Sequence, residues 1–107
     1  MIKYGLDRVT ELKFKTYDVS MEKRDGGQWI DITLRFELDE GTPAPDDLID
    51  LSGLVITTLS GAIAQIVPQD EDIDCEYQFT TFEKEQIRTF IQSAEIQLQI
   101  ANLSTPM

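Results

Sequence analysis

Asp70, Asp72 and Asp74 alternate with the spacing at which an EF-hand loop presents its ligands at positions 1, 3 and 5. Carboxylate oxygens are the hard donors that Ca²⁺ takes, so this run is where the chain comes nearest to a metal site. The rest of the loop does not follow: Cys75 stands where a glycine must allow the sharp turn, and Thr81 stands where a bidentate Glu closes the coordination sphere. No metal site is expected. Cys75 lies between Asp74 and Glu76, whose charges raise a thiol pKa and suppress the thiolate, so it reads as a small hydrophobe and not as a nucleophile. There is no His, which removes the usual general base near neutral pH, the commonest metal ligand and every His-based triad. No lysine followed by Ser or Thr comes after Asp25, Gly26 and Gly27, so no phosphate loop is present. No catalytic residue is assigned, no cofactor is expected, and the chain reads as a non-enzyme.

What these acids can do is recognise. Residues 37–76 hold eleven carboxylates and not one Lys, Arg or His. Residues 1–36 carry seven bases and six acids, a net charge of +1, and residues 37–107 carry fourteen acids and two bases, a net charge of −12, which sum to −11. Such a half repels nucleic acid and anionic membrane and draws basic protein surfaces from a distance. The expected partner is therefore a basic protein, with Asp70, Glu71, Asp72, Asp74 and Glu76 as the contact or steering surface. Trp29, the only Trp, adjoins a turn on the polar face of its strand, with Glu22 expected opposite and Asp31 beside it. An exposed Trp is a candidate interface anchor; packing beneath the N-terminal Ile2, Tyr4 and Leu6 is the competing reading.

The first functional expectation is a small acidic binding module, such as an inhibitor, immunity or counter-defence protein that covers a nucleic-acid-binding surface of its target. DNA mimicry is its sharpest form. A strand offers an outward carboxylate about every 6.6 Å, whereas each DNA strand carries a phosphate about every 3.4 Å. The acids of 46–50 and 70–72 would have to join on one face to make up the density. The alternative is a phage or secretion-system assembly protein, or a chaperone, whose acidity serves only solubility.

The elements that must position these residues read as one α+β domain of order ββαβα, a long hairpin and a third strand packed on two helices. The hairpin spans about 9–39. Ile30, Ile32, Leu34, Phe36 and Leu38 alternate with polar residues, as do Tyr17, Val19 and Met21. A type I′ turn centred on Asp25 and Gly26 would set Met21 opposite Ile30, Val19 opposite Ile32 and Tyr17 opposite Leu34. Phe14 and Leu12 fall out of phase, so an extra residue near Lys15 and Thr16, a β-bulge, is expected to bring them opposite Phe36 and Leu38.

Residues 51–67 carry no charge. The run is shorter than the roughly 20 residues that cross a bilayer and is flanked by acids, so no membrane role is expected. With Pro45, Asp46, Asp47 and Asp50 suited to a helix start and Leu48, Leu51, Val55, Leu59, Ala62 and Ile66 at helical spacing, it predicts a helix over about 45–67. The β-branched Val55, Ile56, Thr57 and Thr58 favour the competing strand at 54–59. A strand follows at about 73–79, then a capping box, Thr80 with Glu83, opens a helix over about 81–102. Its stripe of Ile87, Phe90, Ile91, Ala94, Leu98 and Ala101 leaves Ile96, Ile100 and Leu103 for a homodimer interface. The lone Cys and the absence of a signal-peptide pattern in the first fifteen residues suggest the cytoplasm.

Overall fold

Alternating β-branched and aromatic residues with polar ones commits about two-fifths of the chain to strands. The computed structural model describes residues 1–3, 5 and 9–104. Its elements are β1 (Ile2–Lys3), β2 (Phe14–Lys23), β3 (Trp29–Leu38), β4 (Leu51–Thr58), β5 (Ile63–Asp70), β6 (Ile73–Asp74), β7 (Tyr77–Gln78), α1 (Thr81–Ile91) and α2 (Ala94–Ser104). β2 to β6 form an antiparallel meander in sequence order, and β1 pairs with β7. One core joins Ile30, Ile32, Leu34 and Val55 of the sheet to Ile87, Ile91, Ile96 and Ile100 of the helices, so both helices cover the same sheet face. The chain is a single α+β domain. Among the described residues, no helix is long and apolar enough to cross a membrane.

The hairpin forms with its register moved by two residues: Met21 faces Ile32, Val19 faces Leu34 and Tyr17 faces Phe36. The turn is the cause. Gly26 and Gly27, not Asp25 and Gly26, carry the positive φ values of 92° and 72°. Arg24 N–H donates to Trp29 O at 2.9 Å, so four residues lie inside the last bonded pair instead of two. A slip of two preserves side-chain parity, so the expected residues still face the core. The bulge lies where expected, with the register changing between Phe14 and Thr16, although Phe14 now faces Leu38. Phe14 nonetheless stacks on Phe36 at 4.2 Å between ring centroids.

The helix expected over 45–67 is not formed; the segment supplies β4 and most of β5. Two charge-free strands joined by a short turn resemble one charge-free helix in length, and here β-branching outweighs helical spacing. Pro68 sits in β5 opposite Gly53. Gly53 lets the Phe36 ring come close to the sheet backbone: a Cβ there would lie 2.9 Å from the ring.

The strand expected over 73–79 divides into β6, which extends the large sheet, and β7, which turns away to pair with β1. The capping box at Thr80 and Glu83 is present, with Glu83 N–H donating to Thr80 Oγ1 at 3.2 Å and Thr80 N–H to Glu83 Oε1 at 2.8 Å. Glu83 does more than cap. It is fully buried, and its Oε2 accepts from Leu12 N–H at 2.7 Å and from the Met1 ammonium at 2.6 Å, tying the start of α1 to the approach of β2.

The helix expected over 81–102 breaks at Gln92 and Ser93. In a continuous helix Ile96 would sit about 140° around from Ile91; the break resets the phase, and Ile96 and Ile100 become 3% and 1% exposed. They are therefore core residues and not an oligomer interface, while Leu98, assigned to the core stripe, is 62% exposed. Leu103 is half-buried and packs against the core.

Candidate functional site

The acidic runs 46–50 and 70–76 meet. Asp70 Oδ1 accepts from Ile49 N–H at 2.9 Å and from Asp50 N–H at 2.8 Å, and Glu71 N–H donates to Asp50 O at 3.1 Å. Arg35, projecting from β3, bridges Asp72 at 2.9 Å and Asp50 at 3.3 Å. Glu71 and Asp72, with φ of 52° and 66°, are the two central residues of the β5–β6 turn, flanked by the Asp70 and Ile73 pair. This is the backbone geometry of a type I′ turn built without glycine.

The expected contact residues thus divide by role. Asp70 is half-buried and holds its own backbone, and Asp72 is occupied by Arg35. Asp74 is exposed and accepts from Gln69 Nε2 at 3.1 Å. Glu71, Asp74 and Glu76 are exposed and have no ion-pair partner among the described residues. Asp70, Asp72 and Asp74 serve three different partners, and among the described residues no three metal-ligating side chains converge. The Cys75 thiol lies 3.6 Å from Pro68 O, and burial, joined by the charges of Asp70 and Asp74, pushes its pKa up.

Next to this patch is a constellation that sequence distance conceals. Asp47 accepts from Lys3 Nζ at 2.7 Å and from Tyr77 OH at 2.6 Å, beside a hollow of about 440 Å³ walled by Pro43 and Pro45. Those two hydrogen bonds hold Asp47 below the usual carboxylate range and raise Lys3 and Tyr77 above theirs. Both donors are kept protonated, the reverse of what a general base or amine nucleophile needs. The group ties β1 and β7 to the loop before β4. Nothing local announces it, since Asp47 lies 44 residues from Lys3 and 30 from Tyr77.

Trp29 is 38% exposed at the end of β3, with Thr58 beside it on β4. Across the hairpin it meets Arg24, because Glu22 is opposite Asp31 in the shifted register. Arg24 in turn grips Asp31 at 2.6 Å. Of the N-terminal residues that could have covered the indole, Ile2 pairs instead with Gln78, and Tyr4 and Leu6 lie outside the described residues.

Trp29 begins the sheet face opposite the helices. The next rows across β3, β4 and β5 are Asp31, Ile56 and Gln65, then Thr33, Leu54 and Val67, then Arg35, Ser52 and Gln69. Leu54, Ile56 and Val67 are only half-buried and take no part in the helix-side core. One face therefore runs from an indole, across an apolar centre, to Arg35 and the carboxylate patch, about 20 Å along β3. Sequence reading found both ends but not the centre, whose residues were assigned to a helix. Comparison with known protein families, with curated proteins and with solved structures finds no match.

Proposed function

We propose that this chain is a small acidic protein-binding module that covers a basic surface of a target protein, in the manner of an inhibitor, immunity or counter-defence protein. The observation that carries the reading is the helix-free sheet face. A contact surface needs an apolar centre with an aromatic anchor and a polar rim, and Trp29, Ile56, Leu54 and Val67 are arranged as such a centre beside a carboxylate rim. The apolar centre suits a protein surface better than a line of mimicked phosphates. Glu71, Asp74 and Glu76 are the steering charges, while Asp70 and Asp72 hold the patch together. A protonated, half-buried thiol suits a reducing, cytoplasmic setting.

The test is capture of a basic partner at low salt followed by kinetics. Replacing Glu71, Asp74 and Glu76 by Gln, Asn and Gln should slow association without changing the thermal midpoint. Trp29→Ala should instead speed dissociation. A protein that captures no basic partner at about 50 mM salt and runs as a stable oligomer refutes the reading in favour of an assembly role. With Ile96 and Ile100 in the core, such an oligomer would have to use a surface other than the one the sequence suggested.

A further inference from the structure

β2 is the outer strand of the large sheet, ten residues long, and no strand pairs with its far side among the described residues. Arg24 and Trp29 are a hydrogen-bonded pair. Bonded and non-bonded pairs alternate along an antiparallel ladder, so the register assigns Thr16, Asp18, Ser20 and Glu22 to the bonds with β3. Tyr17, Val19, Met21 and Lys23 then turn their N–H and C=O groups outward, to the open edge. Just before this stretch the edge is occupied by a side chain. Gln86 of α1 donates to Leu12 O at 2.8 Å and accepts from Phe14 N–H at 3.0 Å, taking an acceptor and a donor that an added strand would otherwise use there. Past the bulge no side chain replaces it among the described residues.

Two hollows follow the same edge on the helix side. One, of about 450 Å³, lies between Phe14 and Tyr17 of β2 and Phe82 and Phe90 of α1. The other, of about 360 Å³, lies between Met21 and Leu103 of α2. Their strand-side residues Tyr17 and Met21 are four apart, so alternate side chains of one added strand would fall into both. On the opposite face the edge carries Asp18 and Glu22, exposed and without an ion-pair partner among the described residues. Of the bases on that strand, Lys15 is already paired with Glu37 at 3.7 Å and Lys23 has the parity of Met21, on the helix side.

We propose that the β2 edge binds an extended basic peptide segment of a partner protein by antiparallel strand addition. Two apolar residues four apart enter the hollows beside Tyr17 and Met21, and Lys or Arg residues on the alternate face lie opposite Asp18 and Glu22. A segment reading Lys-Phe-Thr-Val-Lys-Leu has this pattern, its Phe opposite Met21 and its Leu opposite Tyr17. Its backbone edge and two hollows lie outside the helix-free sheet face, which it meets only at Asp18 and Glu22, the outer ends of the Arg35 and Asp31 rows.

The test is fluorescence anisotropy of that labelled peptide with the full chain. Saturable binding is expected, weakened at least about tenfold when both peptide lysines become Glu or when the peptide amides facing the edge are N-methylated. Val19→Pro removes an outward N–H without touching the inner ladder, a position where an edge strand tolerates proline. It should weaken binding by at least about tenfold. Asp18→Lys combined with Glu22→Lys should reverse the preference toward the Glu peptide, an outcome that stands even if the proline variant fails to fold. Replacing Glu71, Asp74 and Glu76 should leave peptide affinity within about twofold, which separates this site from the acidic patch. Absence of saturable binding by either peptide, or undiminished binding of the N-methylated one, overturns the proposal. So does a dimer in solution that Val19→Pro dissociates, which would assign the edge to a second copy.

Discussion

Removing the Glu83 carboxylate should be the most damaging single change in this chain. Its two oxygens accept from Leu12 N–H, Thr80 N–H and the Met1 ammonium, and the side chain is fully buried. Each buried donor left without an acceptor costs about 1–3 kcal/mol, and breaking a buried ion pair from one side costs about 3–5 kcal/mol. These terms overlap, so Glu83→Ala is expected to lose about 4 kcal/mol in all, against a total of about 5–10 kcal/mol for a domain of this size. At about 4–8 °C per kcal/mol the thermal midpoint should fall by about 15–30 °C. Glu83→Gln keeps an acceptor oxygen and should lose about half as much. Urea denaturation followed by circular dichroism measures both. An alanine variant within about 0.5 kcal/mol of wild type, or a Gln variant less stable than the Ala variant, would refute the view that this carboxylate joins α1 to the approach of β2.

Three smaller effects follow. Glu71 and Asp72 hold positive φ without being glycine, so Glu71→Asn with Asp72→Gly should stabilise by about 1 kcal/mol in chemical denaturation, even though it gives up the Asp72 pair with Arg35. The Thr57 hydroxyl is buried with no hydrogen-bond partner among the described residues, so Thr57→Val should raise stability by about 1 kcal/mol, and a loss would mean the hydroxyl is satisfied. Asp47 is held below its ordinary value of 3.8 by Lys3 and Tyr77. Its contribution is therefore present above about pH 4 and lost as pH falls through the depressed folded value. Asp47→Asn should flatten the acid limb of a stability-versus-pH curve below pH 4, and an unchanged limb would remove the ion pair from consideration.

The α+β class, the hairpin, the bulge near Lys15 and Thr16, and the capping box at Thr80 were legible because each is local. Period-2 alternation, a one-residue phase slip and a Thr-x-x-Glu spacing are all set by neighbours within a few positions. The concentration of acids was equally plain, since net charge needs no fold. Segment 45–67 was misread because a charge-free stretch satisfies two periods at once, and only pairing of β4 with both β3 and β5 selects the strand. Ile96 and Ile100 moved from expected interface to core because a two-residue break resets the helical phase.

Tertiary structure alone decided which carboxylates are engaged within the molecule and which are left for recognition. Asp70 and Asp72 look the same as Asp74 in sequence, yet Asp70 is taken up by the 46–50 loop and the exposed Asp72 by Arg35, while Asp74 has no ion-pair partner among the described residues. Glu83 shows the same limit, legible as a helix cap but not as the buried acceptor of groups 71 and 82 residues away. Local spacing determines what a segment becomes. Whether a polar side chain is spent inside the molecule or left to meet a partner depends on long-range contacts that no short window of sequence contains.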